Sequence, residues 1–425
     1  MTKPLRIAIF TPSFLPKCSG AEIFHHNLAT RLVDRGHHVS VVLPKRYLSE
    51  LASFSVAPNY NLIPYPSNTW SYFKRSPRLA LFVNRLALEH LQRRHHFDLW
   101  HGVVTYPTGI CLVDWQRHAA QKNRYTPYVV RSVGDDILFS ENKEVGLRHD
   151  PKVRNLIHTI MPKVRMMVAL SETMRREYLE LGVSAQNLAV IPNAVDIRRF
   201  QAGQDRTQTR QLHNLEADRF LFLAVGRNHP QKDYPTLLDA ALKLQQISNI
   251  PFSLVIAGRN ACGLRQQVND RGLNHIVRLL EIGISKPALH DPAAFELPSN
   301  EMINLYRAAD AFVMSSLLEG FSSALLEAMA AGLPVIVTDS PGCADFVREE
   351  NSGCIVPPAD PAALAETMSL ILQSAATRSE LSARSSRRAS QFDWPVVVDR
   401  YLEVYHHVLG ARPSPATLSS TVRRS

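Results

Sequence analysis

Short apolar runs, each closed off by polar or turn-forming residues, recur along this chain with helically spaced segments between them, and few folds accommodate that pattern. Residues 6–11 (RIAIFT) and 39–44 (VSVVLP) flank a segment, Glu22 to Arg35, in which Ile23, Leu28, Leu32 and Val33 repeat at helical spacing. This reads as strand, helix, strand, with Gly36 ending the helix. Residues 98–102 (DLWHG), 128–132 (YVVRS) and 166–171 (MMVALS) continue the alternation. Runs that are apolar throughout suit strands covered on both faces, so the expected architecture is α/β with a doubly wound parallel sheet.

A second set follows at 220–226 (FLFLAVG), 253–258 (SLVIAG), 311–315 (AFVMS) and 334–339 (PVIVTD), again alternating with amphipathic segments. Residues 201–210 between the sets are rich in Gln, Arg and Thr, with little to bury, and are the expected linker. At 425 residues, with 45% apolar and 20% charged side chains, the chain is globular and too long for one core. The expected domains are 1–200, completed by a C-terminal helix over 394–411, and 201–393. Residues 412–425, dominated by Pro, Ser, Thr and Arg, are expected to be disordered. Neither domain has G-x-G-x-x-G after its first strand, which argues against a dinucleotide oxidoreductase.

The apolar run at Leu5 to Phe10 is too short for the core of a signal peptide, and no stretch approaches the ~18 apolar residues of a membrane span. A soluble cytoplasmic protein is the expectation. The five cysteines (Cys18, Cys111, Cys262, Cys343, Cys354) are scattered without metal-ligand spacing, so neither a disulfide framework nor a metal site is expected. The net charge of +10 is uneven: residues 1–200 hold 27 Lys and Arg against 15 Asp and Glu, the remainder 21 against 23. A basic half attracts nucleic acid, an anionic membrane or an anionic substrate, and charge alone does not choose among them.

Three constellations carry chemistry. Glu319-Gly320-Phe321-Ser322-Ser323-Ala324-Leu325-Leu326-Glu327 follows a strand and opens a helix that Gly332 and Pro334 close. Free amides near Ser322, Ser323 and Ala324 suit a diphosphate, which the helix dipole favours. Glu327, one turn in, would need hydrogen-bond donors such as ribose hydroxyls, while Glu319 is free to face a sugar. Both glutamates equally fit a plain helix start. Gly226-Arg227 and Lys232 leave the carboxyl edge of a strand, where ligands bind parallel sheets, and two such cations can neutralise a diphosphate in place of a metal ion. A solvated loop pair fits as well. The third, Lys17-Cys18-Ser19-Gly20-Ala21-Glu22, places a glycine between the first strand and helix, either for close approach of a ligand or for a turn.

Together with Pro192-Asn193-Ala194-Val195-Asp196, these motifs resemble the family-four retaining glycosyltransferases over roughly Leu5 to Leu409. The resemblance implies a GT-B fold of two Rossmann-like domains facing a central cleft, the N-terminal one on the acceptor side and the C-terminal one binding the donor. It implies a nucleotide-diphosphate sugar as co-substrate, no cofactor or metal, and retention of configuration. By matching positions Arg227 and Lys232 would hold the diphosphate, Glu319 the donor sugar and Glu327 the ribose, with Gly20 near the phosphates. Catalysis would then rest on stabilising the departing phosphate. Val133-Gly134-Asp135-Asp136 stands where members often carry His-Gly-x-Asp, leaving Asp136 as a donor-site residue without the histidine. Ser322 replaces a common glycine and Pro341-Gly342 a common Gly-Gly. His101 either faces the cleft or is satisfied by local hydrogen bonds.

Trp70 to Arg78 and Leu79 to His96 mix aromatics with Lys74, Arg75, Arg78, Arg85, Arg93 and Arg94, which suits a lipid-linked or otherwise anionic acceptor and contact with an anionic membrane at its inner face. A solvated helix face fits equally. Sugar, base and acceptor would be read by loops at 11–17, 105–109 and the proline-rich 281–299. The rival readings are a non-catalytic nucleotide-sugar or carbohydrate-binding protein, a GT-B sugar-nucleotide epimerase, and a nucleic-acid-binding protein, though no nucleic-acid recognition module is present.

Overall fold

The computed structural model describes residues 3–17, 19–54, 57–66, 72–138, 146–202, 206–282 and 295–410. The tail 412–425, Cys18, Trp70 and most of the proline-rich loop, 283–294, lie outside them. The chain forms two compact units, one running to Ile191 and resuming at Val398, the other spanning Pro192 to Val397.

The first unit is built on seven parallel strands: β1 (Arg6–Phe10), β2 (His38–Pro44), β3 (Asn61–Tyr65), β4 (Leu99–Val103), β5 (Tyr128–Arg131), β6 (Met167–Ala169) and β7 (Leu188–Val190). Their order is 3-2-1-4-5-6-7, with Ile9 opposite both Val41 and His101. The second holds β8 (Phe220–Val225), β9 (Phe252–Ala257), β10 (Val277–Leu280), β11 (Ala311–Met314), β12 (Val335–Thr338) and β13 (Cys354–Val356) in the order 10-9-8-11-12-13, also parallel. Interior strands such as β9 and β11 are buried along their whole length because helices cover both faces. The expected doubly wound architecture is present in each unit. In each the strand order reverses once, between β1 and β4 and between β8 and β11, and at such a reversal the loops part to leave a crevice.

Of the polar run 201–210, the part from Arg206 on is built into the second unit. Arg206–Leu212 is a helix with Thr209 and Arg210 buried. Arg210 donates to the carbonyls of Ala308, Glu216, Ala217 and Arg219 and pairs with Asp310 at 2.7 Å. An arginine whose donors are all met can be buried in a segment whose composition reads as solvated. At the other end, Trp394–Gly410 is one helix; from Val398 on it belongs to the first unit. There Tyr401 accepts from Arg131 Nε at 2.9 Å, and Tyr405 meets His101 Nδ1 at 2.6 Å. Arg131 is buried with its guanidinium 3.8 Å above the Phe24 ring.

Candidate functional site

The second unit's crevice is assembled from the loops after β8 and β11. After β8 the chain passes Gly226 and Arg227, makes a single turn at Pro230–Lys232 and enters the Tyr234–Ile247 helix. A β-carbon on Gly226 would lie 2.8 Å from Lys232 Cε and 3.0 Å from the Tyr234 hydroxyl, so glycine there makes room for the lysine stem. The turn is tied to the β11 loop: Ser315 Oγ donates to Lys232 O at 2.8 Å, Leu317 N to Gln231 O at 2.8 Å, and Gln231 Nε2 to Leu318 O. Lys232 Nζ is thereby held 2.5 Å from Glu319 Oε1, both side chains mostly buried. Arg227 is half-buried on the same loop.

Glu319 is fixed through its backbone. Its amide donates to Pro341 O at 3.0 Å, and Gly342, at φ +76°, packs so closely that a β-carbon would collide with the Glu319 carbonyl. The Pro-Gly pair noted in the sequence is therefore a turn in which the second position has to be glycine. Asn193, buried, donates to Ser323 Oγ at 2.9 Å and to Phe321 O at 3.4 Å, which fastens the loop ahead of the Ser323–Ala330 helix. Ser322 caps that helix by accepting from Leu325 N at 3.4 Å. The amides of Ser323 and Ala324 have no acceptor among the described residues. They form, at a helix N-terminus, the donor pair that an anion needs.

Glu327 lies in the second turn, where Tyr306 donates to Oε2 at 2.9 Å. Burial pushes its carboxyl up to about 7, opposed by the Tyr306 hydrogen bond and the Arg199 charge. Sequence reasoning brought Glu319, Lys232, Arg227 and Glu327 to one sheet edge. The sequence assigns no role to Asn193, although it lies in the Pro192–Asp196 motif, nor to Tyr306, which has no signal of its own.

The remaining residues lie in the first unit. Gly20 opens the Gly20–Asp34 helix after β1. Its loop is organised by Glu22, only 2% exposed, which accepts from Ser13 Oγ at 2.5 Å and from Ser19 Oγ and faces Lys17 at 3.6 Å. Asp136 is completely buried. One oxygen accepts from Thr105 N at 2.5 Å, the other from Ser132 Oγ, Val133 N and Gly134 N at 2.9 to 3.1 Å. Its carboxylate is thus committed to shaping the loops after β4 and β5. His101 is buried and satisfied at Nδ1 by Tyr405, and desolvation with Arg131 nearby lowers it to about 3. Among the described residues no group of three or more His, Cys, Asp or Glu side chains is gathered as a metal site requires, and no helix is long and apolar enough to cross a membrane.

Two family models match nearly end to end: "Glycosyltransferase Family 4" over residues 18–199 and "Glycosyl transferases group 1" over 205–388, the second containing Arg227, Lys232, Glu319 and Glu327. The chain belongs to the group 1 glycosyltransferase family. Among this family's named proteins, a D-inositol 3-phosphate glycosyltransferase of Frankia alni is 34% identical over 282 residues, 65% of this chain and 66% of that relative. The chain therefore spans just under two thirds of its length. Among solved structures, a glycosyltransferase from Rickettsia africae superposes with a TM-score of 0.75 at 16% identity, covering 97% of this chain and all of that one. Anabaena HepE in complex with UDP and glucose gives 0.70 at 19% identity, covering 95% and 100%. These likenesses make the group 1 chain a GT-B protein in fold.

Proposed function

We propose that the protein moves a sugar from a nucleotide-diphosphate sugar to a hydroxyl of a glycan, lipid-linked or small-molecule acceptor, with retention of configuration. The observation that carries this is the Lys232–Glu319 ion pair, in the same crevice as the open amides of Ser323 and Ala324. A diphosphate on those amides gains the helix dipole and two cations, Arg227 and Lys232, which take the charge a metal ion would otherwise meet. When the bond from the anomeric carbon to the diphosphate oxygen breaks, the electron pair leaves with the phosphate, and the same cations stabilise it most at that moment. As Lys232 turns to the phosphate, Glu319 is released to accept from sugar hydroxyls. Glu327 accepts from the ribose.

The acceptor is read as anionic. The first 200 residues hold the excess of positive charge, and the relative named above carries a phosphorylated acceptor in its name. On the Pro77–His95 helix, Leu79, Phe82 and Leu86 are exposed along one line, with Arg78 and Arg93 on the same side. That face supports peripheral contact with an anionic membrane.

Thermal-shift titration with uridine and guanosine diphosphate sugars tests the donor site, since a ligand bound only to the folded state raises the melting temperature. One of these donors is expected to stabilise wild type and to lose its effect in Lys232→Ala. A protein that responds to none overturns the proposal. Transfer to an acceptor, abolished in Glu319→Ala, separates the enzyme from a non-catalytic binding protein, and product formed without acceptor would instead mark an epimerase.

A further inference from the structure

Glu327 is an unusual choice for a helix packed into a protein interior. The Ser323–Ala330 helix buries Leu325, Leu326, Ala328, Met329 and Ala330 around it. A carboxylate there loses hydration, and among the described residues a single protein donor compensates Oε2, the Tyr306 hydroxyl at 2.9 Å. Oε1 has no protein donor among the described residues, yet it does not appear among their buried unsatisfied polar atoms, so solvent or a ligand reaches it. The carboxyl thus has one oxygen tied inward and one turned outward.

Tyr306 is well fixed for that task. It lies on the Asn300–Ala308 helix, fully buried, with its ring against Phe200 at 5.8 Å and Phe312 at 6.0 Å. Burial and the neighbouring Glu327 hold its own ionisation well above the ordinary range, so the phenol keeps its proton and donates it. Arg199, on the Ile197–Gln201 helix, is the charged group whose field reaches Glu327; it is held by Pro298 O at 2.8 Å and Asn300 Oδ1 at 3.0 Å. Tyr234 reaches Tyr306 from the Tyr234–Ile247 helix. Strands β11 and β12 contribute apolar and hydroxyl side chains only, and Ser382 of the Ala375–Ser390 helix donates to Gly332 O in the turn after the Glu327 helix.

We infer that Tyr306 is a positioning residue for the nucleotide site: its hydroxyl orients Glu327 and sets the pH below which the protein loses hold of the donor's ribose. This rests on the reading of Glu327 as the ribose acceptor. An ionised carboxylate takes hydroxyl hydrogen bonds more strongly than a neutral acid, so nucleotide affinity follows its ionisation. Removing the one hydrogen bond that favours the charged form moves that ionisation upward by about one pH unit.

The test is calorimetric titration of wild type, Tyr306→Phe and Glu327→Gln between pH 5.5 and 9, using whichever of UDP, GDP and ADP binds wild type most tightly. The terminal phosphate of the probe titrates alike in all three proteins, and Glu327→Gln gives that background. Wild type is expected to bind more tightly than Glu327→Gln at high pH and to lose this advantage as pH falls. Tyr306→Phe should follow the same curve displaced upward by about one unit, roughly fivefold weaker where wild type is half-titrated, and recover wild-type affinity at pH 9. A purely structural defect would not be repaired by base. A Tyr306→Phe curve with the wild-type midpoint, or weaker by one factor at every pH, overturns the inference. If Glu327→Gln binds as wild type does at every pH, it is the ribose reading that fails.

Discussion

Glu327 shows what a buried carboxylate costs the folded protein. With its carboxyl raised to about 7 from an ordinary 4.5, Glu327 keeps a proton in the folded state that the unfolded chain has released. Stability therefore falls as pH rises from 4.5 through 7 and levels off above. Glu327→Gln, neutral at every pH, is expected to melt higher than wild type at pH 8 by a few degrees, about 1–2 kcal/mol after allowing for partial solvent access, and to match it at pH 4.5. Scanning calorimetry of the nucleotide-free proteins checks this; a variant that melts lower at pH 8 contradicts it. Of these side chains, Glu319, Glu327, Arg227 and Lys232 were legible in the sequence because their spacing places them at one strand edge and one helix start. Asn193 and Tyr306 were not. Each reaches the site from a distant stretch of chain, and no local spacing records a contact that exists only after folding.

Secondary elements show the same division. The expected strands are all interior to their sheets, whereas β3, β7, β10 and β13, absent from the sequence reading, are the four sheet edges. An edge strand has a neighbour on one side only and is less covered, so it needs no unbroken apolar run; β3 even contains Pro64. Helix ends were read more reliably, as Gly36 at φ +86° after the first helix shows. The turn at Pro341-Gly342 belongs to this scale because it fixes where the β11 loop runs. Gly342→Ala meets both a left-handed backbone and the Glu319 carbonyl. It is expected to cost about 2–3 kcal/mol in urea unfolding and to weaken nucleotide binding, since the only relief is to shift Glu319. Unchanged affinity with reduced stability would mean that the loop absorbs the strain elsewhere.

Two buried histidines make the first unit sensitive to acid. His25 and His101 stand 5.5 Å apart, both buried, and desolvation keeps both imidazoles neutral. Folded pKa values below the ordinary 6.5 mean stability that is complete above that pH and lost as pH falls towards 3. His101→Gln, which retains a partner for Tyr405, is expected to show a flatter decline in melting temperature between pH 6.5 and 4 than wild type; an equally steep decline would place the sensitivity elsewhere. Tyr401 and Tyr405, which close over this pair and Arg131, come from the last helix. During synthesis that helix leaves the ribosome after every other described element. The unit that begins at the N-terminus therefore waits, its core missing Tyr401, Tyr405 and Val408, while the entire second unit is translated and able to fold. Completion of the first half is thus deferred until the last described helix is made, and until then its unfinished core is apolar surface that a chaperone would meet.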